Sequence, residues 1–412
     1  MSVVSLPLIH GDRLNHNLDT LAEIGKLPQG GVRRISFSQE DQLARQLVKN
    51  WMEEAGMTTC IDAAGNLIGR YPGQQNLPAL ATGSHIDTVP LAGRYDGTLG
   101  VLAGIEVVRA LKFHNIALNH PIEVIVFTDE ENSMIGGKAI AGTHNPDPAY
   151  YQHKDGLSIQ ERLKRVGGEW EAIATARRSR SDMAAFVELH VEQGGVLESK
   201  QADIGVVEGV VSMNRYTLTV TGSPNHAGTT PMDMRQDALV AAAQIVLTVN
   251  QLANYLPGQQ VATVGMMNVW PNATNIVPGR VELSLDIRDL YTENVEALVK
   301  RLTEQIEAIA NQTGTQIEIE PMLNASPTLA SPQIMETITH VCQQLDLSHI
   351  ELPSRAGHDA QEIGRITDMG MIFVPSRGGI SHSEAEYTPP AQCTQGANVL
   401  MSTLIQLDAL YS

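Results

Sequence analysis

The sequence predicts an α/β protein, a parallel-sheet domain into which a smaller α+β domain of ferredoxin-like order is inserted. Three observations carry this expectation. An apolar run at residues 78–82 leads into Gly83-Ser84-His85-Ile86-Asp87, and a second at residues 122–128 leads into Asp129-Glu130-Glu131, with a helical stretch between them. Strand, helix, strand in that order is a right-handed parallel crossover that delivers both polar ends to the same sheet edge. From about residue 211 the pattern becomes strand, helix, strand, strand, helix, strand, and it closes near Pro327. Beyond Ser331-Pro332 the α/β texture resumes, so the chain divides into an outer domain at 1–210 and 328–412 and an inserted domain at 211–327. A chain of 412 residues exceeds what one core usually covers.

Composition narrows the function. Twenty-eight basic against forty-six acidic residues leave a formal charge of −18, which argues against nucleic acid or an anionic membrane as partner. Cys60, Cys342 and Cys393 are widely spaced and form no CxxC, so neither a disulfide framework nor a thiolate zinc site is expected and a reducing compartment fits. Residues 1–17 hold no basic region leading into an apolar core, and no apolar run reaches membrane-spanning length. A cytoplasmic protein is expected.

In chain order, residues 14–28 and 38–55 have helical spacing, the second with Leu43, Leu47, Val48 and Trp51 on one face behind a Ser38 cap. Residues 57–71 read as a hairpin about Gly65-Asn66. Residues 97–111 form a helix whose Gly97, Gly100 and Gly104 permit close approach to the sheet. The stretch 144–182 is polar, and its short basic cluster Arg177-Arg178-Ser179-Arg180 reads as a solvated loop rather than a binding patch, while residues 184–189 are a strand ending on His190. In the insert, strands at 215–221, 261–269, 281–290 and 315–320 alternate with helices at 237–256 and 295–313. The remainder gives a helix, a short strand, the Ala356-Gly357-His358-Asp359-Ala360 turn, a strand at 371–374, the Gly378-Gly379-Ile380-Ser381-His382 loop and a last helix from about 391.

The strand ends and loops hold the chemistry. His85 suits a metal ligand, Asp87 a partner that orients its ring, and Asp96 a carboxylate able to bridge two ions; a structural His bonded to a nearby Asp is the plain alternative. His85, Asp96, Glu131, His190 and His382 offer imidazole and carboxylate but no thiolate, a set that suits Zn²⁺, Mn²⁺ or Co²⁺. Glu130, if Glu131 binds metal, is free to act as general base, but neighbouring side chains reach one centre only where the strand has ended. His226, in Asn225-His226-Ala227-Gly228-Thr229-Thr230-Pro231, is a candidate oxyanion stabiliser, or an ordinary loop His. Asn275 and Arg288 could clamp a carboxylate, although a surface salt bridge is the commoner fate of such an Arg.

These strings, together with Glu188-Leu189-His190-Val191-Glu192-Gln193-Gly194, Gly357-His358-Asp359 and Ser381-His382, resemble the hydantoinase/carbamoylase branch of the M20 metallopeptidase-like amidohydrolases from about residue 14 onward. The branch includes N-carbamoyl-L-amino acid hydrolases and allantoate amidohydrolases. The resemblance implies an aminopeptidase-like catalytic domain holding two divalent metals, an inserted lid and dimerisation domain, and a homodimer. It implies one metal on His85, Asp96 and His190, the other on Asp96, Glu131 and His382, and Glu130 as base. The family's lid histidine, matched by His226, acts at the partner subunit's site, and Gln193, Arg215, Asn275, Arg288, Gly357 and His358 match residues around the substrate. The implied reaction is hydrolysis of a linear ureido C–N bond, releasing ammonia and carbon dioxide. A dipeptidase or aminoacylase on the same fold, or a non-catalytic ligand-binding homologue, are the rival readings. Asn132-Ser133-Met134-Ile135 after the Glu pair and Ser212-Met213-Asn214 before Arg215 depart from the family pattern and bear on substrate, not on the metal ligands.

Overall fold

The computed structural model describes residues 7–151 and 156–412, so parts of the stretches read above at 1–17 and 144–182 lie outside the described residues. Helices α1 (Gly11–Ala22) and α2 (Gln39–Ala55) come first, and Ser38 caps α2 through a hydrogen bond from the Asp41 amide to its Oγ. The face of α2 that turns inward carries Ala44, Val48, Trp51 and Met52; Leu43, read as part of it, is 54% exposed because the helix is rotated away from that side. Strands β1 (Thr58–Ile61) and β2 (Leu67–Tyr71) make the hairpin, with Gly65 at φ +81° in the turn.

The crossover follows as β3 (Ala79–His85), α3 (Thr98–Phe113) and β4 (Ile122–Phe127), with β3 and β4 parallel. A Cβ on Gly100 would stand 2.4 Å from the Leu189 carbonyl oxygen, so only glycine lets α3 approach this closely. Among the elements not read from the sequence are α4 (Ile135–Ala141), and α5 (Ile159–Arg165) with its Ser158/Glu161 capping box. Then come β5 (Met183–Val191), α6 (Val196–Lys200) and β6 (Ile204–Val210).

A second compact unit spans Val211–Thr328. It comprises β7 (Met213–Thr221), β8 (Asn225–His226), α7 (Ala238–Tyr255), β9 (Val261–Trp270), β10 (Ile276–Val277), β11 (Arg280–Arg288), α8 (Thr292–Thr313) and β12 (Gln316–Ala325). The four long strands form an antiparallel sheet in the order β12-β7-β11-β9, which numbered along this unit is 4-1-3-2, the ferredoxin-like arrangement. Alternate residues of β11, from Val281 to Ile287, turn inward against Ala241, Ile245 and Leu302 of its helices.

Through β13 (Thr328–Leu329) the chain returns to α9 (Pro332–Gln344), β14 (His349–Ser354), α10 (Asp359–Ile363), β15 (Asp368–Val374) and α11 (Pro390–Tyr411). The large sheet runs β1-β2-β4-β3-β5-β15-β6, and its centre, β4, β3, β5 and β15, is parallel. One face is covered by α1, α2, α3, α9 and α11 through Leu14, Val48, Leu102, Ile338 and Leu400. The other packs Phe127, Phe186 and Phe373 against Ile140 and Ile363. Each such side chain contributes about 1.5–3 kcal/mol of burial. Because four strands point the same way, their carboxyl ends share one edge, where open α/β sheets place their sites.

Candidate active site

His85 is the last residue of β3 and His190 the last but one of β5, and both are almost wholly buried. The Nδ1 of His85 lies 3.0 Å from the Asp87 carbonyl oxygen, and that of His190 lies 2.8 Å from the Val191 carbonyl oxygen. A carbonyl can only accept, so Nδ1 carries the proton in each ring and Nε2 turns a lone pair into the site. That is the form in which imidazole binds a metal. Asp87 thus orients His85 through its main chain; its carboxylate stands 3.7 Å away and is engaged elsewhere, accepting from Ser36 Oγ at 2.6 Å and from the Glu131 amide at 3.3 Å.

Asp96 precedes α3 by one turn residue, Gly97, at φ +65°. Its Oδ1 faces His190 Nε2 at 3.2 Å and His85 Nε2 at 3.8 Å, and its Oδ2 faces His382 Nε2 at 3.3 Å. The two oxygens therefore serve different neighbours. Ligand atoms of His85, Asp96 and His190 lie within 4.8 Å of one another, as do those of Asp96, Glu131 and His382.

The acidic pair comes off β4 where the strand has already ended. Asp129 takes φ +59°, and its carbonyl accepts from the Ser133 and Met134 amides, so Glu130 and Glu131 lie in a turn and both reach the centre. Glu130 Oε2 is 3.6 Å from His85 Nε2 and Glu131 Oε2 is 3.6 Å from His382 Nε2. Burial, then the charges of Asp359 and Glu131, pushes Glu130 well above the usual carboxylate range; burial is also the chief cause that takes Glu131 up to about 7. Burial acts the same way on Asp96, but hydrogen bonding to His190 and His382 prevails and holds it well below. Burial pulls His190 down, yet Asp96 more than offsets it and the ring is pushed up to about 9. The field of this edge favours positive charge.

A divalent cation fits these donors on two counts. Glu131 Oε1 is buried without a hydrogen-bond partner among the described residues, as is Gln193 Oε1, and both imidazoles aim Nε2 at Asp96, that of His190 also meeting the Gly97 amide at 3.1 Å. Nitrogen and carboxylate oxygen without thiolate suit zinc, manganese or cobalt.

Of the other candidates, Gln193 donates from Nε2 to Asp96 Oδ2 at 3.0 Å, within the same cluster. Gly357 has open space where a Cβ would stand, and His358 next to it is buried, with Nε2 2.8 Å from Ser354 Oγ and its ring 4.5 Å from that of His190. Glu188, His190 and His358 form a third close group that sequence reasoning did not single out, in which Glu188 accepts from Ser84 Oγ and the Ala360 amide. The alternation of β5 carried the signal, since residues two apart share a face.

The remaining candidates belong to the inserted unit. His226 pairs with Ile276 in the ribbon of β8 and β10, Asn275 just precedes β10 and its carbonyl accepts from the Ala227 amide, and both side chains are exposed. His226 Nδ1 accepts from the Gly228 and Thr229 amides at 3.0 and 3.2 Å, which places its proton on Nε2, pointing outward as a donor. Arg215 and Arg288 flank Asp286, with Nε to carboxylate distances of 2.8 Å each, the salt-bridge arrangement noted above as the alternative for Arg288.

Comparison with known proteins agrees with this architecture. The model of peptidase family M20/M25/M40 matches residues 81–406. The chain is 40% identical over 406 residues to an N-carbamoyl-L-amino acid amidohydrolase of Geobacillus stearothermophilus, covering 97% of this chain and 99% of that one. It is 34% identical to an allantoate amidohydrolase of Bacillus subtilis, over 95% and 96% of the two chains. Among solved structures, an amidase of the hydantoinase/carbamoylase family from Burkholderia multivorans superposes with a TM-score of 0.90 at 34% identity, over 97% of this chain and 98% of that one. The chain is a member of peptidase family M20/M25/M40, in its hydantoinase/carbamoylase branch.

Proposed function

We propose that this protein is a metal-dependent amidohydrolase that cleaves the linear ureido C–N bond of an N-carbamoyl-L-amino acid or of allantoate. The observation that carries the reading is Asp96, whose two oxygens face two separate sets of donors with Glu130 alongside. His85, Asp96 and His190 would hold one divalent ion and Asp96, Glu131 and His382 a second. Such ions, zinc or else manganese or cobalt, supply Lewis acidity, polarising a carbonyl and making water a better nucleophile.

The chain's own groups do the rest. Glu130 takes the proton of the attacking water at its carboxylate and returns it to the departing nitrogen, its Oε2 standing 3.6 Å from His85 Nε2 at the edge of the cluster. His226 would donate from Nε2 to the carbonyl oxygen at the partner subunit's site as negative charge develops there. Arg288 and Arg215, with Asn275, bind the substrate carboxylate in exchange for Asp286, while Gln193, Gly357 and His358 border the ureido group. Water adds to the ureido carbon, the C–N bond breaks, and the products are the amine and a carbamate that decomposes to carbon dioxide and ammonia.

The inserted unit serves as lid and dimerisation domain in a homodimer. In support, β9 is one of the two edge strands of its sheet and exposes Val261, Met266, Met267 and Trp270, an apolar edge that a second copy would cover. A cytoplasmic location agrees with three unpaired cysteines, and no helix among the described residues is long and apolar enough to cross a membrane.

The test is ammonia release by protein loaded with each metal in turn, on N-carbamoyl-L-amino acids, N-carbamoyl-β-alanine, ureidoglycolate and allantoate, with dipeptides scored for amine. Ammonia from a ureido acid supports the reading and selects the substrate. Cleavage of dipeptides alone would overturn it in favour of a peptidase.

A further inference from the structure

The segment that carries Asp96 and the loop that carries His382 are joined by a buried carboxylate to which nothing above assigns a part. Glu386 is 5% exposed. Its Oε1 accepts from the amides of Tyr95 at 2.9 Å and Asp96 at 3.2 Å, across a separation of 290 residues for the second. On the other side, Ser381 Oγ stands 3.5 Å from Glu386 Oε2 and 3.3 Å from Asp96 Oδ2. One side chain therefore grips the backbone of the shared ligand and, through Ser381, the residue next to His382.

The surroundings are shaped for it. A Cβ on Gly93 would lie 2.3 Å from Glu386 Oε1 and 2.5 Å from its carboxyl carbon, so this glycine leaves the space that the carboxylate fills. The Glu386 amide bonds the Ser383 carbonyl, which folds the loop back on itself after His382. Tyr387 then packs edge-on against Tyr95, with ring centroids 6.0 Å apart. His382 itself sits at φ +52° with half of its side chain exposed, so little else fixes the loop at that point.

We propose that Glu386 is a positioning residue for the metal group formed by Asp96, Glu131 and His382: it sets the spacing between Asp96 and His382 and so the affinity of that group for its cation. The inference rests on the metal reading given above. Hydrogen-bond partners of metal ligands typically change affinity 10- to 100-fold when removed. The partner here acts on the main chain of Asp96, common to both groups, and on the neighbour of His382, which belongs to one, so the larger effect falls on the group that contains His382.

The experiment is chelator-competition titration of Mn²⁺ and Co²⁺ into the metal-free full chain and into Glu386→Ala, Glu386→Gln and Gly93→Ala, with urea unfolding of each metal-free protein alongside. The unaltered chain is expected to take up two ions. Glu386→Ala should bind the first with little change and the second 10- to 100-fold more weakly, and Gly93→Ala should do the same by displacing the carboxylate. Glu386→Gln keeps an oxygen for the two amides and should stay within about threefold of the unaltered chain. A purely structural role would lower the urea midpoint while leaving both affinities in place. If Glu386→Ala and Gly93→Ala, or Gly93→Ala alone where the other does not fold, bind both ions as tightly as the unaltered chain, the inference is overturned. An unaltered chain that binds no ion at all would instead overturn the metal reading beneath it.

Discussion

Ser36 donates its hydroxyl to the Oδ2 of Asp87 at 2.6 Å, and both residues are buried. Asp87 in turn touches two of the proposed metal ligands, by its carbonyl at the His85 ring and by its Oδ2 at the Glu131 amide. Its other oxygen, Oδ1, has no partner among the described residues, so Ser36 is the side chain that satisfies this carboxylate. Ser36→Ala should therefore cost about 1.5–3 kcal/mol, the range for a hydrogen bond to a charged buried group. Urea unfolding measures it; a loss under 0.5 kcal/mol, roughly the level of an ordinary surface change, would mean that the bond is dispensable.

The parts of this site that were legible in the sequence are those written in local pattern. His85 and His190 announce themselves because an apolar run of strand length ends on each, and Glu130 with Glu131 because a third such run precedes them. Ser36 and Glu386 left no such trace. Their partners lie 51 and 290 residues away, and a serine or a glutamate in a loop looks like any other until the fold closes. Helix α4 was missed for a related reason, since Gly136 and Gly137 argue against a helix by propensity. Tertiary packing prevails there: a Cβ on Gly136 would lie 2.4 Å from the Thr128 amide nitrogen, and one on Gly137 2.5 Å from Asp359 Oδ1. Helix α5 did carry a signal, the Ser158-x-x-Glu161 box, inside a stretch whose polarity reads as loop.

Glu130 provides the sharpest separation between holding metal and doing chemistry. Glu130→Gln preserves the shape of the side chain but removes the basic oxygen, and it deletes one of the carboxylates that crowd the centre. Metal content should remain that of the unaltered protein while turnover falls by about 10²- to 10⁴-fold, the range for loss of a general base. Metal analysis of the purified variant and an ammonia assay at saturating substrate read the two quantities. Turnover within tenfold of the unaltered enzyme would remove Glu130 from the role.

Thiol chemistry tests the packing of the outer unit independently of any metal. Cys60 is exposed, whereas Cys342 and Cys393 are fully buried and burial pushes both thiols up to about 12. Only thiolate attacks a disulfide reagent, so the native protein at pH 8 should release one equivalent of chromophore and the unfolded protein three. Burial also raises Cys60, which should react more slowly than free cysteine. Rapid reaction of a second thiol in the native state would show that α9 or α11 opens more readily than its packing implies.

The C-terminal helix is pinned by a contact whose pH dependence has a definite sign. Asp368, at the start of β15, accepts from Arg180 at 2.6 Å and from the Tyr411 hydroxyl at 2.8 Å. Partial burial works to raise its pKa, but the Arg180 and Tyr411 hydrogen bonds prevail and hold it below the ordinary value of 3.8. A carboxylate whose folded pKa is depressed stabilises the fold above its unfolded pKa, and that stability is lost as pH falls through the folded value. Asp368→Asn should therefore lower the urea midpoint at pH 6, and its deficit should shrink once the pH drops below about 4. Because Arg180 is largely exposed, the contribution should not exceed about 1 kcal/mol. Unfolding of both proteins at half-unit steps from pH 6 to pH 3 would decide the matter, since a deficit that stays constant across that window cannot come from ionised Asp368.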